Sequence, residues 1–238
     1  GIYGFVRFAD EIVDSFHEFP KAHLLERFKE ETYRAIDEGI SLNPILNSFQ
    51  FVVNEFEIER ELIDKFLSSM EMDLRKAEYT QEKYEEYILG SAEVVGLMCL
   101  KVFTEGNKEL YDALTPSAMK LGSAFQKINF LRDLKADYNE LGRSYFPGID
   151  VSKLDDKTKQ AIEADIQADF DAGYEGVLKL PKKARFGVYL AYIYYTALFK
   201  KIASIPSARI LEERISISKP RKASLLFGSY VRHSFNLI

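Results

Sequence analysis

The chain has 238 residues, 47% of them apolar and 29% charged, a globular balance that excludes a disordered chain and a polytopic membrane protein. Its net charge of −5 offers no broad positive field to a polyanion, so nucleic acid is not an expected partner. Glycine and proline number only 13 and 7, which predicts long uninterrupted elements.

Apolar residues recur every three or four positions almost throughout, and no alternating run is closed by a hairpin turn, so the fold is predicted all-α. The first helix is expected from Ile2 to His17, stopped near Pro20, and the second to about Glu38, with Gly39 as its C-terminal cap. Further helices are expected over Pro44 to Asn54, Ile58 to Ala77, Gln81 to Glu105 before Gly106, and Pro116 to Leu141 before Gly142. Residues 142 to 154, with Gly142, Pro147 and Gly148, read as the one long surface loop. Helices resume over Asp155 to Leu178, Pro181 to Ser204, Pro206 to Glu213 and Pro220 to Ser234. No repeat, low-complexity tract or linker divides the chain, so a single domain over residues 1–238 is expected.

The single cysteine, Cys99, lies between Met98 and Leu100 and reads as a buried thiol, compatible with a reducing, cytoplasmic setting. The longest uncharged run, Phe186 to Phe199, has 14 residues, short of the roughly 20 that span a bilayer, and reads as a buried helix. No acidic residue follows Glu213, while Arg214, Lys219, Arg221, Lys222 and Arg232 give the last stretch a charge of +5. On charge pattern alone this is a solvated basic helix or a segment near something anionic.

There is no glycine-rich phosphate loop, no G-x-S-x-G elbow and no H-E-x-x-H zinc helix. The three histidines, His17, His23 and His233, do not stand at ligand spacing from one another. A metal would therefore be held by carboxylates, which favours a hard cation such as Mg²⁺.

Two carboxylate stripes stand out. Asp10 and Asp14 lie four apart on one helix face, with Tyr3, Arg7 and Glu11 in the same sector and Phe5, Phe8, Ile12, Val13 and Phe16 around it. Two carboxylates one turn apart on so apolar a helix repel and call for a cation or protons. Gln126, Asn129, Asp133 and Asp137 form a second polar line, flanked by Ile128, Phe130, Leu131 and Leu134. A single D-x-x-x-D pair is more often a solvated face than a site. Two pairs facing each other across a bundle would hold several Mg²⁺ ions bridging a diphosphate.

At these stretches the chain resembles the squalene/phytoene synthase family. Y-x-x-x-R-x-x-D-x-x-x-D matches Tyr3, Arg7, Asp10 and Asp14, and Q-x-x-N-x-x-R-D-x-x-x-D matches Gln126, Asn129, Arg132, Asp133 and Asp137. Gly142-Arg143-Ser144-Tyr145-Phe146-Pro147 resembles the family's G-R-x-Y-x-P segment, and Val95 to Met98 and Arg214 to Lys222 extend the likeness over nearly the whole chain.

The resemblance implies an isoprenoid synthase-like all-α bundle with a central cavity between the aspartate motifs. It also implies Mg²⁺-dependent head-to-head joining of two prenyl diphosphates through a cyclopropylcarbinyl diphosphate. Asp10, Asp14, Asp133 and Asp137 become the implied metal ligands, and with Arg7 and Arg132 the implied catalytic set. Gln126, Asn129 and Arg214 would hold diphosphate beside those arginines, and Tyr3, Arg143 and Tyr145 belong to the matching substrate-binding segments. Carbocations need an aromatic, water-poor cavity, and 18 Phe with 14 Tyr are available for one.

Two departures from the pattern are expected to matter. The family carries a further helix with a serine-containing segment before its first motif, and nothing precedes Gly1 here. The Leu89 to Gly96 segment lacks the aromatic residues of many relatives, so no tyrosine role is carried over to that helix.

Wording around Arg7 to Asp14 is closer to bacterial carotenoid enzymes, which implies phytoene from two geranylgeranyl diphosphates. The alternative is squalene or dehydrosqualene from farnesyl diphosphate, and a reading of another class is a non-catalytic helical assembly factor, against which the four retained aspartates stand. A long hydrocarbon product leaves for a membrane, so peripheral membrane contact through the basic stretch after Arg214 is expected. The oligomeric state is left open.

Overall fold

A computed structural model of the chain describes residues 1–74, 79–139, 145–150 and 153–235, the side chains of 136–139 excepted. Its regular structure there is helical throughout, as the periodicity requires.

The N-terminal half packs α1 (Ile2–Asp14), α2 (Lys21–Glu38), α3 (Pro44–Glu55) and α4 (Arg60–Asp73) around one aromatic centre. Phe5 of α1 stacks on Phe49 with ring centroids 3.8 Å apart and meets Phe28 and Phe66 at 5.4 and 5.3 Å, so one side chain ties four helices together. Local signals fix the ends. Asn43 Oδ1 accepts from Ile45 N at 3.0 Å to start α3, and Gly39 ends α2 with φ +69°.

The C-terminal half is built on α7 (Lys108–Asn139), which packs against α6 (Val94–Phe103), α8 (Asp156–Lys179) and α9 (Lys182–Ala203). These helices approach closely. A Cβ on Gly122 would stand 2.8 Å from the Ala92 carbonyl oxygen, and one on Gly176 would collide with Ser117 Cβ. A buried polar network pins α8 to α7: Asp169 accepts from Lys120 at 2.8 Å, Ser123 at 2.7 Å and Lys127 at 2.7 Å. Burial pushes the Asp169 carboxyl up, but these donors outweigh it and hold the group below the usual carboxylate range.

Several boundaries differ from the sequence expectation. The helix expected over Gln81 to Glu105 is α5 (Gln81–Ile88), a π-helical turn over Leu89–Glu93, and α6. The turn lies where Gly90 presses on α4, a Cβ there being 2.5 Å from the Lys65 carbonyl oxygen. α7 begins well before Pro116, because Asn107 Oδ1 accepts from Leu110 N at 2.9 Å and starts the helix, leaving Pro116 inside it. The helix expected over Pro206 to Glu213 is only the short α10 (Ser207–Ile210), and α11 (Lys219–Ser234) closes the described chain. The run from Phe186 to Phe199 is helical but not wholly buried: Tyr189, Leu198 and Phe199 are covered, whereas Gly187 is exposed. Ala77, and residues 142–144 and 151–152 of the expected 142–154 loop, lie outside the described residues.

Candidate active site

α1 brings Asp10 to a half-buried position and leaves Asp14 more exposed one turn later. Burial pushes the Asp10 carboxyl up to about 7, with the charges of Asp14 and Asp73 adding to the shift and Arg7 opposing it. Arg7 is itself exposed and bonded to Glu11 at 2.5 Å. Tyr3 is 81% exposed, away from the described cavities.

Asp73 is the residue that sequence reasoning missed. It is buried at the end of α4 and accepts hydrogen bonds from Tyr87 Oη at 2.8 Å and Tyr145 Oη at 3.3 Å. A signal was present: Ile63, Phe66, Met70 and Asp73 continue one buried helical stripe, so a carboxylate occupies a core position. Tyr87 lies on the helix for which no tyrosine role was expected, and burial beside Asp73 pushes its hydroxyl well above the ordinary tyrosine value. Tyr145 stacks on Phe130, centroids 4.2 Å apart and planes 13° apart. The two aspartate stripes are thereby linked through Asp73, Tyr145 and Phe130.

The second stripe comes together on α7. Asn129 Nδ2 donates to Gln126 Oε1 at 3.5 Å, and Asn129 Oδ1 accepts from Tyr195 Oη at 3.2 Å. Asp133 is bridged by two guanidinium groups, Arg132 Nη2 at 2.5 Å and Arg214 Nε at 2.6 Å. Arg214, some eighty residues further along the chain, is thus brought against the motif's Asp133. The Asp137 side chain and all of Arg143 lie outside the described residues.

Below Gln126 opens a cavity of about 330 Å³ between the π-helical turn, α6, α7, α8 and α9. Its walls are apolar or small: Ala92, Gly122 and Phe125 toward Gln126, and Gly96, Leu100, Phe103 and Leu180 toward Leu114. Leu114 and Gln126 both line it, and twelve residues of helix at 1.5 Å each make it about 18 Å long along α7. Cys99 also lines it, and burial pushes its thiol up to about 11, so it behaves as an apolar wall. Phe125 stacks on Tyr195 with centroids 4.0 Å apart, an aromatic pair at the junction of the cavity with the polar stripe.

An apolar tunnel headed by amides, arginines and aspartates in this order accompanies the sequence motifs, and a family model described as squalene/phytoene synthase matches residues 1–221. The chain belongs to the squalene/phytoene synthase family. A phytoene synthase, chloroplastic, of Cucumis melo is 26% identical over 97% of this chain, which spans 59% of that relative's length. Among solved structures, a dehydrosqualene synthase in complex with ligand superposes with a TM-score of 0.77 at 20% identity, covering 97% of this chain and 84% of that one. A squalene synthase from Alicyclobacillus acidocaldarius gives 0.72 at 21% identity, over 90% of this chain and 83% of that one. The all-α, single-domain helical bundle expected from the sequence is the squalene/phytoene synthase fold.

The family implies a divalent metal. Asp10 and Asp14 offer carboxylate oxygens alone, and the charge of Asp73 bears on Asp10 as well, although burial is the larger cause of the raised Asp10 carboxyl. That donor chemistry fits Mg²⁺. Among the described residues no three His, Cys, Asp or Glu side chains are already grouped as a metal cage, and Asp133 is engaged by its two arginines instead.

Proposed function

We propose that this chain joins two allylic prenyl diphosphates head to head, as a Mg²⁺-dependent prenyltransferase. The observation that carries this reading is the junction at Gln126, with an apolar cavity on one side and Asn129, Arg132, Asp133 and Arg214 on the other. A prenyl diphosphate has the same two-part character, a hydrocarbon tail and an anionic head.

Asp10, Asp14, Asp133 and Asp137 would hold Mg²⁺, which when bound supplies the positive charge that stabilises a departing diphosphate. The chain's own groups do the rest. Arg7, Arg132 and Arg214 neutralise diphosphate charge, and an arriving diphosphate competes with Asp133 for the two guanidinium groups now bound to it. Gln126 and Asn129 orient the head, and Arg143, Tyr3 and Tyr145 complete the substrate contacts. Phe125 and Tyr195 present aromatic faces to a developing carbocation, while the apolar walls exclude the water that would quench it.

For the substrate we favour the fifteen-carbon farnesyl diphosphate, giving dehydrosqualene or squalene. Its support is the likeness to solved dehydrosqualene and squalene synthases together with a cavity closed by Leu100, Phe103 and Leu180. The second reading is phytoene from the twenty-carbon substrate, favoured by the sequence likeness to the melon phytoene synthase and by the wording around Arg7 to Asp14. Either product is a long hydrocarbon bound for a bilayer, and peripheral membrane contact belongs to the same reading. The deciding experiment is product chromatography with each substrate, Mg²⁺ or EDTA, and NADPH present or absent. Metal-dependent dehydrosqualene without NADPH is expected; phytoene alone would move the assignment to the second reading, and no turnover with either substrate would end both.

A further inference from the structure

We propose that the cleft between α9 and α11 is a second prenyl diphosphate site, separate from the hydrocarbon cavity, in which a cluster of cations takes the diphosphate and an apolar trough takes the chain. The identity of the ligand rests on the reading above, and the test reports on the cleft itself.

α11 packs against α9 and runs back along it. Lys201 of α9 donates to the Ser216 carbonyl oxygen at 2.7 Å, Tyr194 Oη to the Lys222 carbonyl oxygen at 2.8 Å, and Arg232, near the end of α11, to Tyr189 Oη at 3.3 Å. The two helices enclose a cleft of about 570 Å³. From Lys200 to Tyr189 it follows eleven residues of α9, about 16 Å. α9 is the wall between two spaces, with Val188 and Ala191 lining the hydrocarbon cavity and Ile193 and Ala197 the cleft.

The cleft has two parts. Lys200 and Lys201 at the end of α9 meet Arg221 at the start of α11, beside the hydroxyls of Ser218 and Ser224. Further along, Ala197, Ile193, Leu225 and Gly228 form an apolar trough. No carboxylate among the described residues lines the cleft, and none of these three cations is in an ion pair with a described residue, on a chain whose net charge is −5. Ammonium, guanidinium and hydroxyl donors converging in this way are the groups that hold phosphate.

Gly228 points to an occupant of the trough. A glycine in the middle of a helix weakens it. Here its backbone is not in the left-handed region and a Cβ would meet nothing within 4 Å, so neither conformation nor packing requires glycine. What the missing side chain leaves is room in the cleft beside Leu225.

A free phosphate would engage the cations and leave the trough empty. A bilayer would need both parts on one outward face, whereas they lie inside one concave cleft. A prenyl diphosphate carries both on one molecule, in the order the cleft presents them, head and then chain. A single-chain lipid phosphate shares that chemistry, and the experiment separates the two by their heads.

The test is photo-labelling of the full chain, with Mg²⁺ present, by a farnesyl thiodiphosphate that carries a diazirine at its tail end. Its carbon–sulfur bond resists ionisation, so the probe is not consumed. Peptide mass spectrometry should find label between Leu225 and Arg232 as well as on the cavity wall between Ser91 and Gln126. Lys200→Glu/Arg221→Glu should cut the label on α11 about tenfold by removing the charge partners of the head. Gly228→Leu should cut it as far by filling the trough, with a melt no lower than the wild type, because leucine is the better helix former and its Cβ meets nothing. Label on the cavity wall should persist in both variants. Label confined to the cavity wall, or label on α11 that neither variant reduces, would overturn the proposal. So would equal labelling of α11 by the matching diazirine alcohol, which needs no cations, or stronger labelling by a diazirine lysophosphatidic acid, which would give the cleft to a lipid headgroup. If the chain turns over no prenyl diphosphate and yet α11 is labelled and both variants abolish that label, the catalytic reading fails and this site stands.

Discussion

The Tyr87 hydroxyl donates a 2.8 Å hydrogen bond to the Asp73 carboxylate at a point where both residues are buried. The same carboxylate accepts a longer bond, 3.3 Å, from Tyr145, and its charge reaches Asp10 on α1. A core carboxylate between two phenols thus joins the N-terminal helices to the second motif.

Tyr87→Phe should therefore cost about 1.5–3 kcal/mol of stability, the range for a hydrogen bond to a charged group. Tyr145→Phe should cost less, because its bond is longer. Urea melts of the two variants check this; a larger loss for Tyr145→Phe would reverse the assignment of the main partner.

Asp10 gives a pH dependence of definite sign. Its carboxyl is raised from 3.8 to about 7 in the folded protein, so the fold keeps a proton that the unfolded chain releases. The corresponding stability is complete below about pH 4 and is lost as the pH rises through about 7. Asp10→Asn should raise the Tm of the metal-free protein most at pH 8, less at pH 5 and little below about pH 4. Mg²⁺ needs the carboxylate, so its stabilising effect and turnover should both increase as the pH rises through about 7. Asp73→Asn should lower that midpoint only in part, because burial is the largest cause of the shift. A wild-type midpoint near 4 would refute the account.

Arg214 separates stability from function. Its ion pair with Asp133 is solvent-exposed on the arginine side, 67% open, and such pairs contribute about 0–1 kcal/mol. Arg214→Gln should melt within a few degrees of the wild type yet lose about 100-fold in turnover, the scale of removing one preorganised charge from a reacting anion. A variant with full activity would remove Arg214 from the site.

Much of this was legible in the sequence, for reasons that differ by element. The stripes of α1 and α7 could be read because a helix repeats its geometry, so four-residue spacing alone puts Asp10 beside Asp14 and Asn129 beside Asp133. Gly39 as a cap could be read because only a few residues tolerate its positive φ. The start of α7 could not, since Pro116 is a strong start signal and outranked the weaker Asn107. Neither could the π-helical turn, which answers to α4 pressing on Gly90, a tertiary contact with no local signature. Asp73 lay between: its place on a buried stripe was visible, but its partners Tyr87 and Tyr145 come from other segments, and only the fold brings them together.

Glycines shape the cavity by letting backbones meet. Gly122→Ala would place its Cβ 2.8 Å from the Ala92 carbonyl oxygen and 3.1 Å from its carbon, atoms that cannot rotate away, for a loss of about 1–3 kcal/mol. Gly96→Ala, whose nearest contact is 3.2 Å, should be milder but would narrow the cavity that Gly96 lines. Phe103→Ala works the other way, opening the wall deeper in, and should raise the share of product from the twenty-carbon substrate relative to the fifteen-carbon one. Product ratios from mixed substrates give the answer, and a ratio unmoved by both Gly96→Ala and Phe103→Ala would mean that this cavity does not measure chain length.

The network on Asp169 should show the asymmetry of buried charge. Removing Asp169 as Asp169→Leu strands Lys127, which is buried and keeps only Asp165 at 2.5 Å, and it deprives Lys120 and Ser123 of the same acceptor. The expected loss is about 3–5 kcal/mol, because the penalty is that of an uncompensated charge and not the worth of one pair. Lys127→Leu should cost less, since Lys120 and Ser123 still hold Asp169. The double variant Lys127→Leu/Asp169→Leu removes both charges and should recover most of the loss, leaving the α7–α8 contact apolar. Asp169 itself is held below the usual carboxylate range, so in the wild type its contribution is present at neutral pH and fades as the pH falls through its folded value. Urea melts of the four proteins at pH 7 measure the coupling. A double variant as unstable as Asp169→Leu alone would mean that these groups serve a geometric role that leucine cannot fill.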